Sequence, residues 1–273
     1  MRKLVLKMAG SSMLRKTVKA LRLHVPVNSW LHHFPVVKTL PSGIRYRARR
    51  VESLALSAEM FDENALYDIT DSPADIRTFA DLGCNVGYFT CWLCDRLKNT
   101  QLKGLMVDAN AEAVEDAQWH VEQNNLHDVY ALHGLAGLPK EGFKDFFLHT
   151  SNVCSTATPE PGVSADSWTR VQVPCLDIED NWHKRFGDTP CDLLKMDIEG
   201  SEKEFFQNET RFMRRVKTVL LEWHKCKVSL DEIVGLLSPQ GFALKKILYQ
   251  NEAAGTAIFV KNTVDAAPNV NKP

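Results

Sequence analysis

The chain has 273 residues, 44% of them apolar and 25% charged, and a formal net charge of −1. That length suits one large α/β domain or two small ones, and no apolar run reaches the roughly 20 residues that a membrane-spanning helix needs. The near-neutral total conceals an asymmetry, because residues 1–51 carry twelve Lys or Arg and no acid while the remainder has a net charge of −13.

The basic arm comes first. In SSMLRKTVKALRL (11–23), Leu14, Val18 and Leu21 share one helical face, with Arg15, Lys16, Lys19 and Arg22 opposite or flanking it. This pattern predicts a short basic amphipathic helix, which suits an anionic membrane, packing on the body, or an organelle presequence. Residues 1–24 are therefore expected to meet an anionic membrane or another polyanion, or to form a solvated basic face. PSGIRYRARR (41–50) reads as a strand or hairpin arm, ESLALSAEMFDENALY (52–67) as a helix, and SPAD (72–75) as a linker with a cap residue.

From residue 77 strands and helices alternate. Strands are expected at 77–83, 102–110, 128–134, 192–198 and 216–224, and helices at 88–97, 111–125, 201–215 and 229–239. Such alternation implies βαβ units and a parallel sheet covered on both faces. The ending differs: GFALKKILYQ and GTAIFVKN are two strands separated by NEAA, a turn so short that they must be antiparallel. The expected fold is α/β, a seven-stranded, mostly parallel sheet with an antiparallel terminal pair. The folded domain would span 51–262, after a basic arm at 1–50 and before a flexible tail at 263–273. Residues 135–190 interrupt the rhythm with Pro, Gly, Ser and Thr clusters and read as a lid or excursion that shapes a substrate pocket.

Seven cysteines, at 84, 91, 94, 154, 175, 191 and 226, are scattered and odd in number. They suggest a reduced compartment, hence a cytoplasmic protein with at most peripheral membrane contact. Cys91-x-x-Cys94 falls inside a predicted helix beside Phe89, Trp92 and Leu93 and reads as core packing, since no second pair with metal spacing follows.

In an open α/β sheet the ligand lies beyond the carboxyl ends of the strands. The first strand ends in DLGCNVGYFT (81–90), where Gly83 and Gly87 let a ligand approach the backbone. The spacing is neither that of a dinucleotide loop nor that of a Walker loop, and Asp81 would repel a pyrophosphate. It would favour a cationic amine, and S-adenosylmethionine carries an amino group and a sulfonium but no phosphate. Asp108 ends the second strand 21 residues after Gly87, where an acid suits ribose hydroxyls, while Asn110 suits the cap of the next helix. KMDIEGSE (195–202) puts four charged residues at the end of a buried strand; strand alternation would send Lys195, Asp197 and Glu199 to one side. Glu222 and His224 share a face at the end of the fifth strand, aimed at the same mouth.

These motifs resemble those of the FkbM-type S-adenosylmethionine-dependent methyltransferases: DLGCNVGYF, the "LD" in VQVPCLDIEDNW, KMDIEGSE and LEWH occur in the family's order over roughly residues 45–262. Cys84 departs from the usual small residue of the loop. The resemblance implies a class I methyltransferase fold and methyl transfer from S-adenosylmethionine, leaving S-adenosylhomocysteine. The acceptor it implies is a hydroxyl on a sugar, a polyketide or another small secondary metabolite.

The expected cofactor contacts are Asp81, Gly83, Cys84, Asn85, Gly87, Phe89, Asp108, Ala109, Asn110 and Gly134. His224 is expected to act as the general base, oriented by Asp197 or Glu222, with Lys195 pairing one of these acids. Glu199, Ser155, Thr156 and Trp168 are expected to meet the acceptor. Two alternatives stay open. In one, Asp197, Glu222 and His224 hold a divalent metal that polarises the acceptor oxygen. In the other, the basic arm grips RNA, although the acidic body gives no strong nucleic-acid signal.

Overall fold

A computed structural model describes residues 24–61, 67, 75–137, 142–149 and 168–262. Helix α1 (His24–His33) leads into a hairpin of β1 (Val36–Thr39) and β2 (Arg45–Ala48), followed by α2 (Val51–Phe61). The helix expected over 52–67 is described only to Phe61, and residues 11–23, 72–74 and 263–273 lie outside the described residues.

The predicted alternation follows: β3 (Thr78–Leu82), α3 (Tyr88–Leu97), β4 (Lys103–Asp108), α4 (Ala111–Gln123) and β5 (Val129–His133). The interruption holds β6 (Leu135–Ala136), β7 (Phe143–His149) and β8 (Trp168–Leu176), which form a three-stranded side sheet, and then α5 (Ile178–Phe186). The chain returns through β9 (Cys191–Met196), α6 (Glu202–Asn208), α7 (Thr210–Met213), β10 (Val216–His224), α8 (Leu230–Leu237), β11 (Phe242–Gln250) and β12 (Ala254–Lys261).

The main sheet has seven strands in the order β11-β12-β10-β9-β3-β4-β5. β10, β9, β3, β4 and β5 are parallel, and β12 inserts antiparallel between β10 and β11. This is the sheet order of class I methyltransferases. The strand order reverses between β3 and β9, which puts the switch point at the carboxyl ends of those two strands.

Strand alternation divides the core between the two faces. Phe79 joins Phe89, Trp92, Met106 and Leu193 on one side, while Ala80 and Leu82 join Leu105, Trp182, Leu194 and Phe205 on the other. Removing a side chain of Leu or Phe size from water contributes roughly 1.5–3 kcal/mol, so both faces are closed by apolar burial. Cys91 and Cys94 are fully buried in the first face, and burial pushes the Cys94 thiol up to about 12.

Local chemistry sets the helix ends. Asn110 caps α4 through Glu112 N–H at 3.0 Å, and Ser229 and Glu232 form a capping box on α8. The single helix expected over 201–215 is instead two, broken at Glu209, whose buried carboxylate turns inward and accepts from Ile178 N–H at 3.4 Å.

The N-terminal hairpin is clamped to α4. Arg47 Nε and Arg49 Nε lie 2.6 and 2.7 Å from Asp116 Oδ1, and Arg50 pairs with Glu112. Tyr88 donates its hydroxyl to the Arg47 carbonyl at 2.7 Å. These three arginines of the basic arm are therefore neutralised by acids of the body, which leaves them little charge for a phosphate backbone. Among the described residues no helix is long and apolar enough to cross a membrane.

Candidate functional site

The loop after β3 is shaped by glycine. Gly83 has φ +72°, and a Cβ there would lie 1.6 Å from the Asp197 carbonyl oxygen, so no other residue fits. The loop is tied to β4 by Gly83 and Cys84 N–H donating to the Val107 carbonyl at 2.9 and 3.0 Å. Asn85 N–H donates to Asp108 Oδ2 at 2.7 Å and Asn110 N–H to Asp108 Oδ1 at 2.8 Å. Asp108 is thereby fixed at the end of its strand, with lone pairs left for a ligand. Its enclosure raises its pKa, although the two N–H groups pull the other way.

A cavity enclosing about 730 Å³ of space, part of it open to solvent, runs from this point across the switch point. Gly83, Asn85, Asp108, Ala109 and Asn110 line one end. Gly134, Leu135, Ala136 and Phe146 give it an apolar wall, and Asp197, Ile198, Glu199 and Ser201 close the other end. An apolar wall facing a few converging polar groups suits a ligand with a flat apolar ring and a polar sugar.

Six of the ten expected cofactor contacts thus line the cavity, and four do not. Asp81 is fully buried beneath the loop: Lys195 Nζ lies 3.2 Å from its Oδ1, and Thr90 donates to its Oδ2 at 3.4 Å. The cationic partner expected for Asp81 is supplied by the protein itself. Cys84 and Phe89 turn into the apolar core, and Gly87 packs against Ala117, where a Cβ would sit 3.0 Å away.

Lys195 differs from expectation for the same reason. It points to the α3 side, toward Asp81, and donates to the Gly83 carbonyl at 2.7 Å. β9 ends at Met196, so period-two alternation no longer aims the residues that follow; Glu199 and Gly200 have φ +53° and +95°.

The acids and the histidine do converge. His224 Nε2 lies 3.2 Å from Glu199 Oε2, and its Nδ1 lies 3.7 Å from Glu202 Oε1. Burial alone would lower the His224 pKa, but Glu202, Glu199 and Asp197 outweigh it and raise it to about 9. Burial and then Asp197 raise Glu199 to about 8 and Glu222 to about 7. Glu199, Glu222 and His224 shift toward their protonated forms, because burial penalises the two carboxylate charges, the acids crowd one imidazole, and Lys195 is committed to Asp81. His224 is thus an imidazolium near neutral pH, without the lone pair that its expected role as base requires.

The acidic partner nearest to His224 also differs from expectation. Asp197, Glu199 and His224 each bring one donor atom within 4.8 Å of the others; Glu222 does not belong to this group. Glu202 and Ser201, both at the head of α6, were not expected at the site. The Glu-Gly-Ser-Glu run after a buried strand was the available signal. Trp168 begins β8 opposite His149 and is not among the described residues lining the cavity. Ser155 and Thr156 lie outside the described residues.

The profile of the methyltransferase FkbM domain family matches residues 107–244, a span that includes Asp108, KMDIEGSE and LEWH. A second profile, the methyltransferase small domain, matches residues 57–144 and includes the glycine loop. No curated protein sequence matches the chain. Among solved structures it is similar to a SAM-dependent methyltransferase from Aquifex aeolicus, with 12% identity, 68% of this chain and 82% of that chain covered, and a TM-score of 0.39. Fibrillarin from Aeropyrum pernix, solved with bound S-adenosyl-L-methionine, has 11% identity over 68% of this chain and 67% of its own, with a TM-score of 0.43. TrmK from M. capricolum, solved with S-adenosyl-homocysteine, has 10% identity over 68% and 62% of the two chains, with a TM-score of 0.42.

Proposed function

Because the chain belongs to the methyltransferase FkbM domain family, we propose that it transfers the methyl group of S-adenosylmethionine to a hydroxyl of a small acceptor, such as a sugar, a polyketide or another secondary metabolite. Asp108 holds the ribose hydroxyls, and Gly83 and Asn85 leave the loop backbone open to the methionine portion. Leu135, Ala136 and Phe146 pack the adenine. The acceptor enters beside Asp197 and Glu199.

The observation that carries this reading is the continuity of one cavity from Asp108 to Asp197 and Glu199. A ligand gripped at the Asp108 end delivers its reactive group to a cluster able to take a proton. Transfer is an in-line displacement in which the sulfur–methyl bond breaks as the oxygen–methyl bond forms, and the sulfonium supplies the leaving group. The protein's part is to align the acceptor oxygen and remove its proton. Glu222 takes that proton. His224, already paired with Glu199, remains the positive charge beside the oxygen as it gains electron density. Lys195 holds the Gly83 carbonyl and so positions the cofactor loop.

Calorimetric titration with S-adenosylhomocysteine tests the cofactor end. The wild type is expected to bind, and Asp108→Ala to bind at least roughly tenfold more weakly, the scale of losing one or two charge-assisted hydrogen bonds. Equal affinity in the two proteins would overturn the placement of the ribose. Transfer of labelled methyl to hydroxylated acceptors, against an RNA control, tests the acceptor class.

A further inference from the structure

We propose that Asp197, Glu199 and His224 form a divalent-cation site at the acceptor end of the cavity. Two carboxylates and one imidazole present donor atoms all within 4.8 Å of one another. Ligands in neighbouring positions around an ion with bonds of about 2.1 Å stand about 3 Å apart. The 3.2 Å between His224 Nε2 and Glu199 Oε2 already has that spacing.

A second observation points the same way. Glu202 is fully buried, yet its Oε2 has no hydrogen-bond partner; its Oε1 accepts from Gly200 N–H and lies 3.7 Å from His224 Nδ1. Asp197 Oδ1 is likewise buried without a partner. When His224 binds an ion through Nε2, its Nδ1–H faces Glu202, the carboxylate–histidine–metal arrangement that fixes the tautomer and strengthens the ligand. The charge balance agrees, since Asp197, Glu199, Glu202 and Glu222 outnumber His224 and Lys195 is occupied elsewhere. Oxygen donors with a single imidazole and no thiolate suit an ion such as Mn²⁺.

The site stands on ligand geometry and does not require that the acceptor be a hydroxyl. If methyl transfer proceeds as proposed, the ion would coordinate the acceptor oxygen and lower its pKa. Glu222 remains the proton acceptor.

The full chain, stripped with a chelator, is titrated with Mn²⁺ while free Mn²⁺ is followed by electron paramagnetic resonance. Saturable binding of one ion per chain is expected. His224→Ala, Asp197→Asn and Glu199→Gln should each weaken it at least tenfold. Glu202→Gln should weaken it by about tenfold, as loss of a group behind a ligand does, and Glu222→Gln by less than threefold. Absence of saturable binding, or binding that His224→Ala and Glu199→Gln leave intact, would overturn the proposal. Circular dichroism checks that each variant is folded. Titration of S-adenosylhomocysteine into the same stripped protein separates the two readings, because cofactor binding without Mn²⁺ binding sinks the ion site alone.

Discussion

His120 and His224 are both enclosed by other side chains, yet their surroundings move their protonation in opposite directions. His120, at the joint between the N-terminal hairpin and α4, accepts from Arg47 N–H at Nε2 (2.9 Å) and places Nδ1 2.8 Å from the Val86 carbonyl. Both ring nitrogens of the neutral form are satisfied, and burial first and foremost lowers its pKa to about 4. His224, beside Glu199 of the cavity lining, meets carboxylates on both sides and rises to about 9. At the joint, acids and bases match: Asp116, Glu115 and Glu112 face Arg47, Arg49 and Arg50. At the mouth they do not, and an unbalanced group of acids persists in a folded protein only at a cost. A satisfied histidine holds two elements together, whereas an imbalance marks the place where a ligand or reaction supplies what is missing.

The largest expected effect tests the mouth. His224→Ala should lower methyl-transfer turnover by about 10³-fold while leaving the affinity for S-adenosylhomocysteine within about threefold, measured by steady-state kinetics and calorimetry. Unchanged turnover would make His224 a second His120, a packing histidine without a part in the chemistry.

The next effect is on stability at the joint. The folded pKa of His120, about 4, lies below the unfolded value near 6.5, so the unfolded chain binds the extra proton. The contribution of His120 is therefore complete above pH 6.5, is lost as pH falls from 6.5 to 4, and changes no further below 4. It amounts to about 3 kcal/mol. Urea unfolding at pH 7 and at pH 4.5 should show a larger loss for the wild type than for His120→Gln. Equal losses would remove the contrast between the two histidines.

A smaller effect concerns the clamp itself. Asp116→Asn should cost about 2 kcal/mol, because it leaves Arg47 and Arg49, both mostly covered, without their shared carboxylate. Thermal unfolding gives the cost, and cofactor affinity should be unchanged. A loss of affinity equal to that of Asp108→Ala would show that the joint and the cavity form one unit.

Much of the sheet is legible in the sequence. The runs read as strands at 77–83, 102–110 and 192–198 are β3, β4 and β9, and the short NEAA link imposed an antiparallel pair. Asp108 was also legible, because an acid that ends a strand at a fixed distance from a glycine turn has few other places to go. The partners within the mouth were not. Alternation put Lys195 beside Asp197 and Glu199, but it holds only as far as the strand, and β9 stops at Met196. Asp81 looked free to meet a cofactor because nothing in the chain order says that Lys195 lies beside it. That pairing comes from the register Asp81↔Lys195 between β3 and β9.

What the sequence determined by itself was the inventory and the order: which segments alternate, where glycine opens a turn, and that acids and a histidine gather at strand ends. These follow from interactions between residues a few positions apart, whose geometry the backbone repeats. Only the tertiary structure decided that Lys195 neutralises Asp81, that Glu199 rather than Glu222 meets His224, and that Glu202 stands behind it. Those contacts join residues from different strands and from a loop with positive φ. Their relative placement is set by register and packing, which no local period encodes.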